Sequence, residues 1–271
     1  MGSLYLVATP IGNLEDLTLR ALRVLKEVGL IAAEDTRTTR ILLKKYDIHT
    51  PLTSYYQGNL KAKLPHLLRT LETKDVAVVS EAGMPGLNDP GYELVVEAIS
   101  RNIPVVPIPG PSAILTALVA SGLPTHRFLY LGFLPRQAGE RRRLLKNIAS
   151  LPFTLIFLES PHRLGASLQT LEEVLGPRRI AVGRELTKLH EEFFRGTIPQ
   201  AREHFPQPRG EFTLVVEGAP AQEKSLTPEI ARELLQLRRE GLHAREAIAR
   251  VAQRTGLSRK ELYRAWLGAQ G

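Results

Sequence analysis

The chain has 271 residues, enough for two compact domains and a short appendage. Hydrophobic residues make up 43% and charged residues 24%, an ordinary globular composition, and no apolar run approaches the roughly 20 residues that span a bilayer. Cysteine is absent, which excludes disulfides and thiolate metal sites and fits a cytoplasmic protein; the net charge of +8 points to a polyanionic partner, nucleic acid first.

The start, Met1-Gly2-Ser3, carries no basic leader and runs straight into an apolar stretch, so no signal peptide is expected. From there short apolar runs alternate with amphipathic segments. Strands are expected at 4–8, 30–33, 75–79 and 104–108, and helices at 17–27, 36–45, 92–101 and 111–120, the last with Pro111 at its first position. This βαβα rhythm implies a mostly parallel sheet with helices on both faces. After Gly122-Leu123-Pro124 the rhythm changes. Strands at 128–131, 153–158, 179–185, 192–196 and 211–217, with helices at 139–149 and 162–175, indicate a second α/β domain with a mixed sheet. Residues 218–225 read as a linker, followed by helices at 227–240, 244–255 and 258–267. Thr227 and Ser258 are expected N-caps, the latter in a capping box with Glu261. The organisation is therefore 1–123, 124–219 and 220–271, the last a module of helix-turn-helix size.

Four loops follow the first-domain strands: 9–14, 34–37, 80–91 and 109–113. A parallel sheet brings all four to one edge, where ligands bind. None is a Gly-x-Gly-x-x-Gly or a Walker-type loop, so nothing cradles a pyrophosphate; a cofactor with an adenosine and no phosphates suits these loops better. Gly110-Pro111-Ser112 opens a helix whose first N–H groups could bind a carboxylate or an adenine edge, or simply be capped by Ser112. In Glu159-Ser160-Pro161-His162-Arg163 the acid and the imidazole are acid/base candidates, and helix caps equally. The charged run 184–192 is a site lip or a solvated turn, and no spacing of histidines and carboxylates makes a metal site.

Taken in order, residues 4–16 (Leu-Tyr-Leu-Val-Ala-Thr-Pro-Ile-Gly-Asn-Leu-Glu-Asp), Ala33-Glu34-Asp35-Thr36-Arg37, the 80–91 loop, Pro109-Gly110-Pro111-Ser112-Ala113, Glu159-Ser160-Pro161-His162-Arg163, Arg184-Glu185-Leu186-Thr187-Lys188 and Gly210-Glu211-Phe212 closely resemble the ribosomal RNA small-subunit 2′-O-ribose methyltransferase I family. The chain departs from that family's pattern at Glu81-Ala82-Gly83-Met84-Pro85, where Asp-Ala-Gly-Thr-Pro is usual, and at residues 55–59.

The resemblance implies the tetrapyrrole methylase fold, two α/β domains with the active cleft between them and a small C-terminal helical module. It implies S-adenosylmethionine as methyl donor, held by Pro10, Ala82, Gly83, Met84, Pro85, Gly110, Pro111, Ser112, Ala113, Leu158 and Glu159. The implied acceptor is the ribose 2′-hydroxyl of a cytidine in the decoding centre of small-subunit ribosomal RNA, naked or in the assembled small ribosomal subunit, and a homodimer is implied as well. Glu81, Glu159 and Lys188 are candidates for the proton acceptor or alkoxide stabiliser, each with a structural alternative. Phosphate contacts are expected from Arg37, Arg136, Arg141, Arg163 and Arg195; Tyr56 or Phe133 could stack a base, with Phe133 more at home in the core. Two other readings stay open: a methyltransferase of the same fold acting on a small molecule such as a tetrapyrrole, and a nucleic-acid-binding protein with a degenerate methylase core.

Overall fold

The computed structural model describes residues 1–220 and 226–268; residues 221–225, in the expected linker, lie outside the described residues. Contacts divide the chain into two compact units, Met1–Gly218 and Ala219–Gly271.

The first unit begins with β1 (Leu4–Val7), α1 (Leu19–Glu27), β2 (Leu30–Ala33), α2 (Thr36–Lys45), β3 (Leu52–Ser54), α3 (Leu60–Leu71), β4 (Val76–Val79), α4 (Tyr92–Ser100) and β5 (Val105–Ile108). The five strands form one parallel sheet in the order β3-β2-β4-β1-β5. Strand period two sorts its side chains. Val7, Ala77 and Val79 pack under α1 and α2, whereas Leu4, Val76 and Val78 pack under α3 and α4.

The second sheet follows: α5 (Ala113–Ala120), β6 (Phe128–Phe133), α6 (Ala138–Ile148), β7 (Thr154–Glu159), α7 (Pro161–Leu175), β8 (Arg179–Arg184), β9 (Glu192–Thr197), α8 (Ile198–His204) and β10 (Phe212–Val216). Its order is β6-β7-β10-β8-β9, with β6 and β7 parallel and the remaining pairs antiparallel. Leu155 and Phe157 face a core with α6, α7 and α8, and Ile156 faces the other way. There Ala117 and Leu118 of α5 pack on Ile156, Ala181 and Val215, with Ile11 and Leu186 alongside. Helix α5 thus precedes the boundary expected at 123/124 but packs on the sheet that follows it. That shared core is why both sheets belong to one unit.

The second unit holds α9 (Pro228–Arg239), α10 (Ala244–Thr255) and α11 (Arg259–Gly268) around Leu234, Leu237, Ile248, Val251, Leu262 and Trp266. Thr227 Oγ1 accepts from Ile230 N at 3.4 Å, and Ser258 and Glu261 form the reciprocal box, with the Glu261 N–H on Ser258 Oγ and the Ser258 N–H on Glu261, both at 3.2 Å.

The structure corrects the sequence reading at several elements. The expected helix at 111–120 begins at Ala113, because Ser112 caps it and accepts from Leu115 N at 3.4 Å; Pro111 lies outside. The helix expected from 17 begins at Leu19 behind its cap Thr18, and a separate 3-10 turn occupies Leu14–Asp16. Three elements escaped notice: β3, an edge strand of 3 residues; α3, which contains Pro65; and α8, with only 7 residues. A proline inside a helix and a strand too short to alternate both erase the periodic signal.

Candidate active site

The carboxyl ends of the first sheet's strands face the second sheet across a cavity of about 560 Å³, within the usual size of a small-molecule site. Loop 80–91 forms much of one wall. Its anchor is an antiparallel bridge between Thr9 and Gly83. Gly83 sits at φ +79°, a backbone state that strains residues with a Cβ. Ser80 Oγ donates to the Gly83 carbonyl at 3.2 Å, so the turn is pinned from inside.

Pro10, Ala82, Gly83, Met84, Ser112, Ala113, Leu158 and Glu159 all line the cavity. Pro85, Gly110 and Pro111 do not. Gly110 is required for packing instead: a Cβ there would come within 2.9 Å of the Ala8 Cβ. Ile11, Ile114 and Phe133 add apolar surface. Phe133 is 49% exposed and lines the cavity, so it is not the core residue the sequence suggested.

The ionisable groups divide by environment. Glu159 is buried, and its carboxylate accepts from Ser167 Oγ at 2.6 Å and Ser160 N at 2.9 Å and pairs with Arg163 Nε at 3.3 Å. Both of its oxygens are engaged by these three partners, so Glu159 braces the cavity wall. Lys188 pairs with Glu185 and Glu211, both at 3.0 Å. Burial pulls its pKa down, but the bonds to Glu211 and Glu185 outweigh burial and hold it above the ordinary lysine value. Lys188 is therefore held as a cation between its two carboxylate partners. The loop that carries it is strained, with Glu185 at φ +49° and Thr187 at φ +67°. Thr187 Oγ1 accepts from Asn13 N at 3.0 Å, which holds that loop against the first sheet's side of the cavity.

Glu81 is exposed, and its N–H donates to Glu34 Oε2 at 3.1 Å. Burial, then Asp35, Glu34 and Glu211, push its pKa above the ordinary carboxylate value against the pull of Arg37. The sequence reading missed Glu34, Thr38, Asp89, Tyr130, Leu186, Glu211 and Thr213 as cavity residues. Position after a strand could have found Glu34, and Asp89 lay inside the loop already singled out. Tyr130 sits mid-strand in an apolar run and carried no signal.

The arginines also separate. Arg37 is 87% exposed at its side chain and pairs with Asp35 at 2.7 Å, and that guanidinium holds the Asp35 carboxyl down at about 2. Arg136 is exposed at the start of α6. Arg141 is 6% exposed and donates to Thr170 Oγ1 at 2.9 Å and to the carbonyls of Pro135, Arg136 and Ala166 at 3.2–3.3 Å; it ties α6 to α7, with four of its five N–H groups engaged inside the protein. Arg163 binds Glu159 and the Leu134 carbonyl. Arg195 donates twice to the Ala120 carbonyl and lies 4.3 Å over Phe193, bracing β9 against the end of α5. His162 is exposed and outside the cavity wall.

With Glu34, Glu81, Asp89 and Glu211 set against one lysine, the cavity is acidic. It repels a pyrophosphate and suits a cationic ligand with an apolar ring.

Comparison with known proteins agrees with this geometry. Residues 3–202 match the family of Tetrapyrrole (Corrin/Porphyrin) Methylases, and residues 225–270 match the RsmI C-terminal HTH domain. The chain is 48% identical to the ribosomal RNA small subunit methyltransferase I of Halalkalibacterium halodurans, covering 97% of this chain and 93% of that protein. The chain belongs to the ribosomal RNA small subunit methyltransferase I family. A second member, from Synechocystis, is 47% identical over 97% of this chain and 96% of its own length. Among solved structures, uroporphyrin-III-C-methyltransferase from Thermus thermophilus superposes with a TM-score of 0.58 at 25% identity, covering 80% of this chain and 94% of that one. The chain thus has the tetrapyrrole methylase fold and is a methyltransferase that takes its methyl group from S-adenosylmethionine. The donor fits the cavity: apolar walls suit an adenosine, and the carboxylates suit a sulfonium and an ammonium group. Among the described residues no helix is long and apolar enough to cross a membrane, and no group of side chains could hold a metal ion.

Proposed function

We propose that this methyltransferase modifies the ribose 2′-hydroxyl of a cytidine in the decoding centre of small-subunit ribosomal RNA. The observation that carries the reading is the match over nearly the whole chain to relatives named for small-subunit ribosomal RNA. The acidic cavity beside exposed arginines supports it. Cations of the donor enter the cavity, while RNA phosphates meet Arg37 and Arg136 outside it. Phe133 and Tyr56, both about half exposed, offer faces for an unstacked base.

S-adenosylmethionine, when bound, supplies an electrophilic methyl group on a sulfonium. The protein's work is then position and charge. Pro10, residues 82–84, Ser112, Ala113 and Leu158 hold the donor. Lys188, kept protonated by Glu185 and Glu211, offsets negative charge developing on the ribose oxygen. The working form is a cytoplasmic homodimer acting on the assembled small subunit or its RNA.

The test is incubation with methyl-labelled donor and either assembled or stripped small subunits, followed by nucleoside analysis. Label is expected on the ribose of one cytidine. Label on a base, or none in either substrate, overturns the proposal.

A further inference from the structure

Methylation of a hydroxyl releases a proton, and two of the groups first suspected of taking it are committed elsewhere. Glu159 is bonded to Ser167, Ser160 and Arg163, and Lys188 is a cation between two carboxylates. Another carboxyl on the cavity wall has no such partner. Asp89 lies three residues before α4 and two before its N-cap, outside the position from which a side chain caps a helix. Here the N-cap is Gly91, no side chain caps the helix, and the intervening Pro90 has no N–H to offer. Among the described residues the Asp89 carboxyl makes no hydrogen bond or ion pair. Nor is it sealed away: the buried partnerless side-chain oxygens belong to Asp16, Tyr55 and Glu172. Asp89 lines the cavity. A carboxyl that bonds no protein group ties no elements together, so a structural role does not account for it.

We propose that Asp89 is the catalytic residue that accepts the proton of the ribose 2′-hydroxyl. This assignment rests on the reading of the acceptor given above. In the step, the O–H bond breaks and its proton passes to Asp89. The ribose oxygen forms its bond to the methyl carbon as the carbon–sulfur pair returns to sulfur, leaving a neutral thioether. Asp89 is left protonated and afterwards loses the proton to water.

The groups facing Asp89 come from three strands. Glu34 follows β2, Glu81 follows β4, and Tyr130 lies on β6, its hydroxyl bonded to the Asn88 amide. Burial, then the charges of Glu34 and Glu81, push Asp89 up to about 7. A base with a pKa near the working pH combines ionisation with proton affinity. Glu81 on this account is a positioning residue whose charge sets the basicity of Asp89.

Single-turnover methylation of small ribosomal subunits between pH 5.5 and 9 tests this, with donor affinity measured by calorimetry. The wild-type rate is expected to rise with pH and level off above about 7. Asp89→Asn should lower the plateau by roughly 100-fold or more and abolish the rise, with donor Kd changed less than about 3-fold. Asp89→Glu should recover at least about tenfold of that loss, and Glu81→Gln should move the rise to lower pH. An Asp89→Asn variant that keeps the wild-type profile overturns the assignment, as does one that loses donor affinity in step with rate. Should that variant fail to fold, an unshifted profile in Glu81→Gln overturns it. Wild-type enzyme that labels a base sinks the reading of the acceptor and this assignment with it. Ribose labelling unaffected by Asp89→Asn sinks this assignment alone.

Discussion

Thr9 and Gly83 exchange backbone hydrogen bonds in both directions, Thr9 N to the Gly83 carbonyl at 2.9 Å and Gly83 N to the Thr9 carbonyl at 3.0 Å. The pair fuses the loops after β1 and β4 into one cavity wall. A Cβ at Gly83 would meet only ordinary contacts, Ile11 Cγ2 at 3.5 Å and the Pro111 carbonyl at 3.7 Å. The cost of Gly83→Ala therefore comes from its φ of +79°, about 1–2 kcal/mol. Thermal melting should show a fall of roughly 3–6 °C, with weaker donor binding by calorimetry.

Glu159→Ala leaves Arg163, Ser167 and the Ser160 N–H without their shared acceptor. A loss of about 2–4 kcal/mol in denaturant titration is expected. The loss should appear with no donor or RNA present, which separates a brace from a catalytic acid.

Lys188→Met removes the charge and keeps the stem that packs near Gly12. Turnover should fall about 100-fold while donor Kd changes little, since the charge acts on an oxygen that becomes negative only in the transition state.

The arginines give a contrast. Arg37→Ala and Arg136→Ala should each weaken RNA binding and reduce the slope of log affinity against log salt by about 1, with the melting temperature unchanged. Arg141→Ala should instead destabilise the protein by about 2–4 kcal/mol, because four acceptors in and around α6 and α7 lose their donor.

Asp89 also sets a pH dependence of stability. Its folded pKa of about 7 lies above the ordinary aspartate value of 3.8, so the folded state holds the proton more tightly. Stability is full below about 4 and is lost as pH rises to about 7. Asn carries no such loss. Discounted for solvent screening, Asp89→Asn should be more stable than wild type at pH 8 by on the order of 1–2 kcal/mol, and the difference should close towards pH 4. Equal denaturation midpoints at both pH values would show that the carboxyl is not perturbed.

Four strands of the first sheet, β1, β2, β4 and β5, were legible because they are short apolar runs that break into Gly, Pro and acids where ligands bind. Residues 30–33 and 36–45 were read to their ends, since Asp35 caps one helix and charge closes it. The cavity residues within those strand-end loops were legible for the same reason. What sequence could not give was partnership. Arg141 and Arg136 look alike in a basic run, yet one is buried under carbonyls and the other is free. Glu159 and Asp89 each follow or precede a helix boundary, but only three-dimensional neighbours show which carboxyl is engaged. Phe133 stands opposite Leu158 because the register of β6 shifts between Tyr130 and Phe133, an irregularity that apolar patterning does not encode.

The Thr9–Gly83 bridge is made of main chain, and main chain is common to every sequence. A binding wall built that way tolerates drift at its neighbours: Glu81 and Met84 depart from the family's usual Asp and Thr without touching either hydrogen bond. Such a wall lets the side chains along it change one at a time while the path of its backbone stays put.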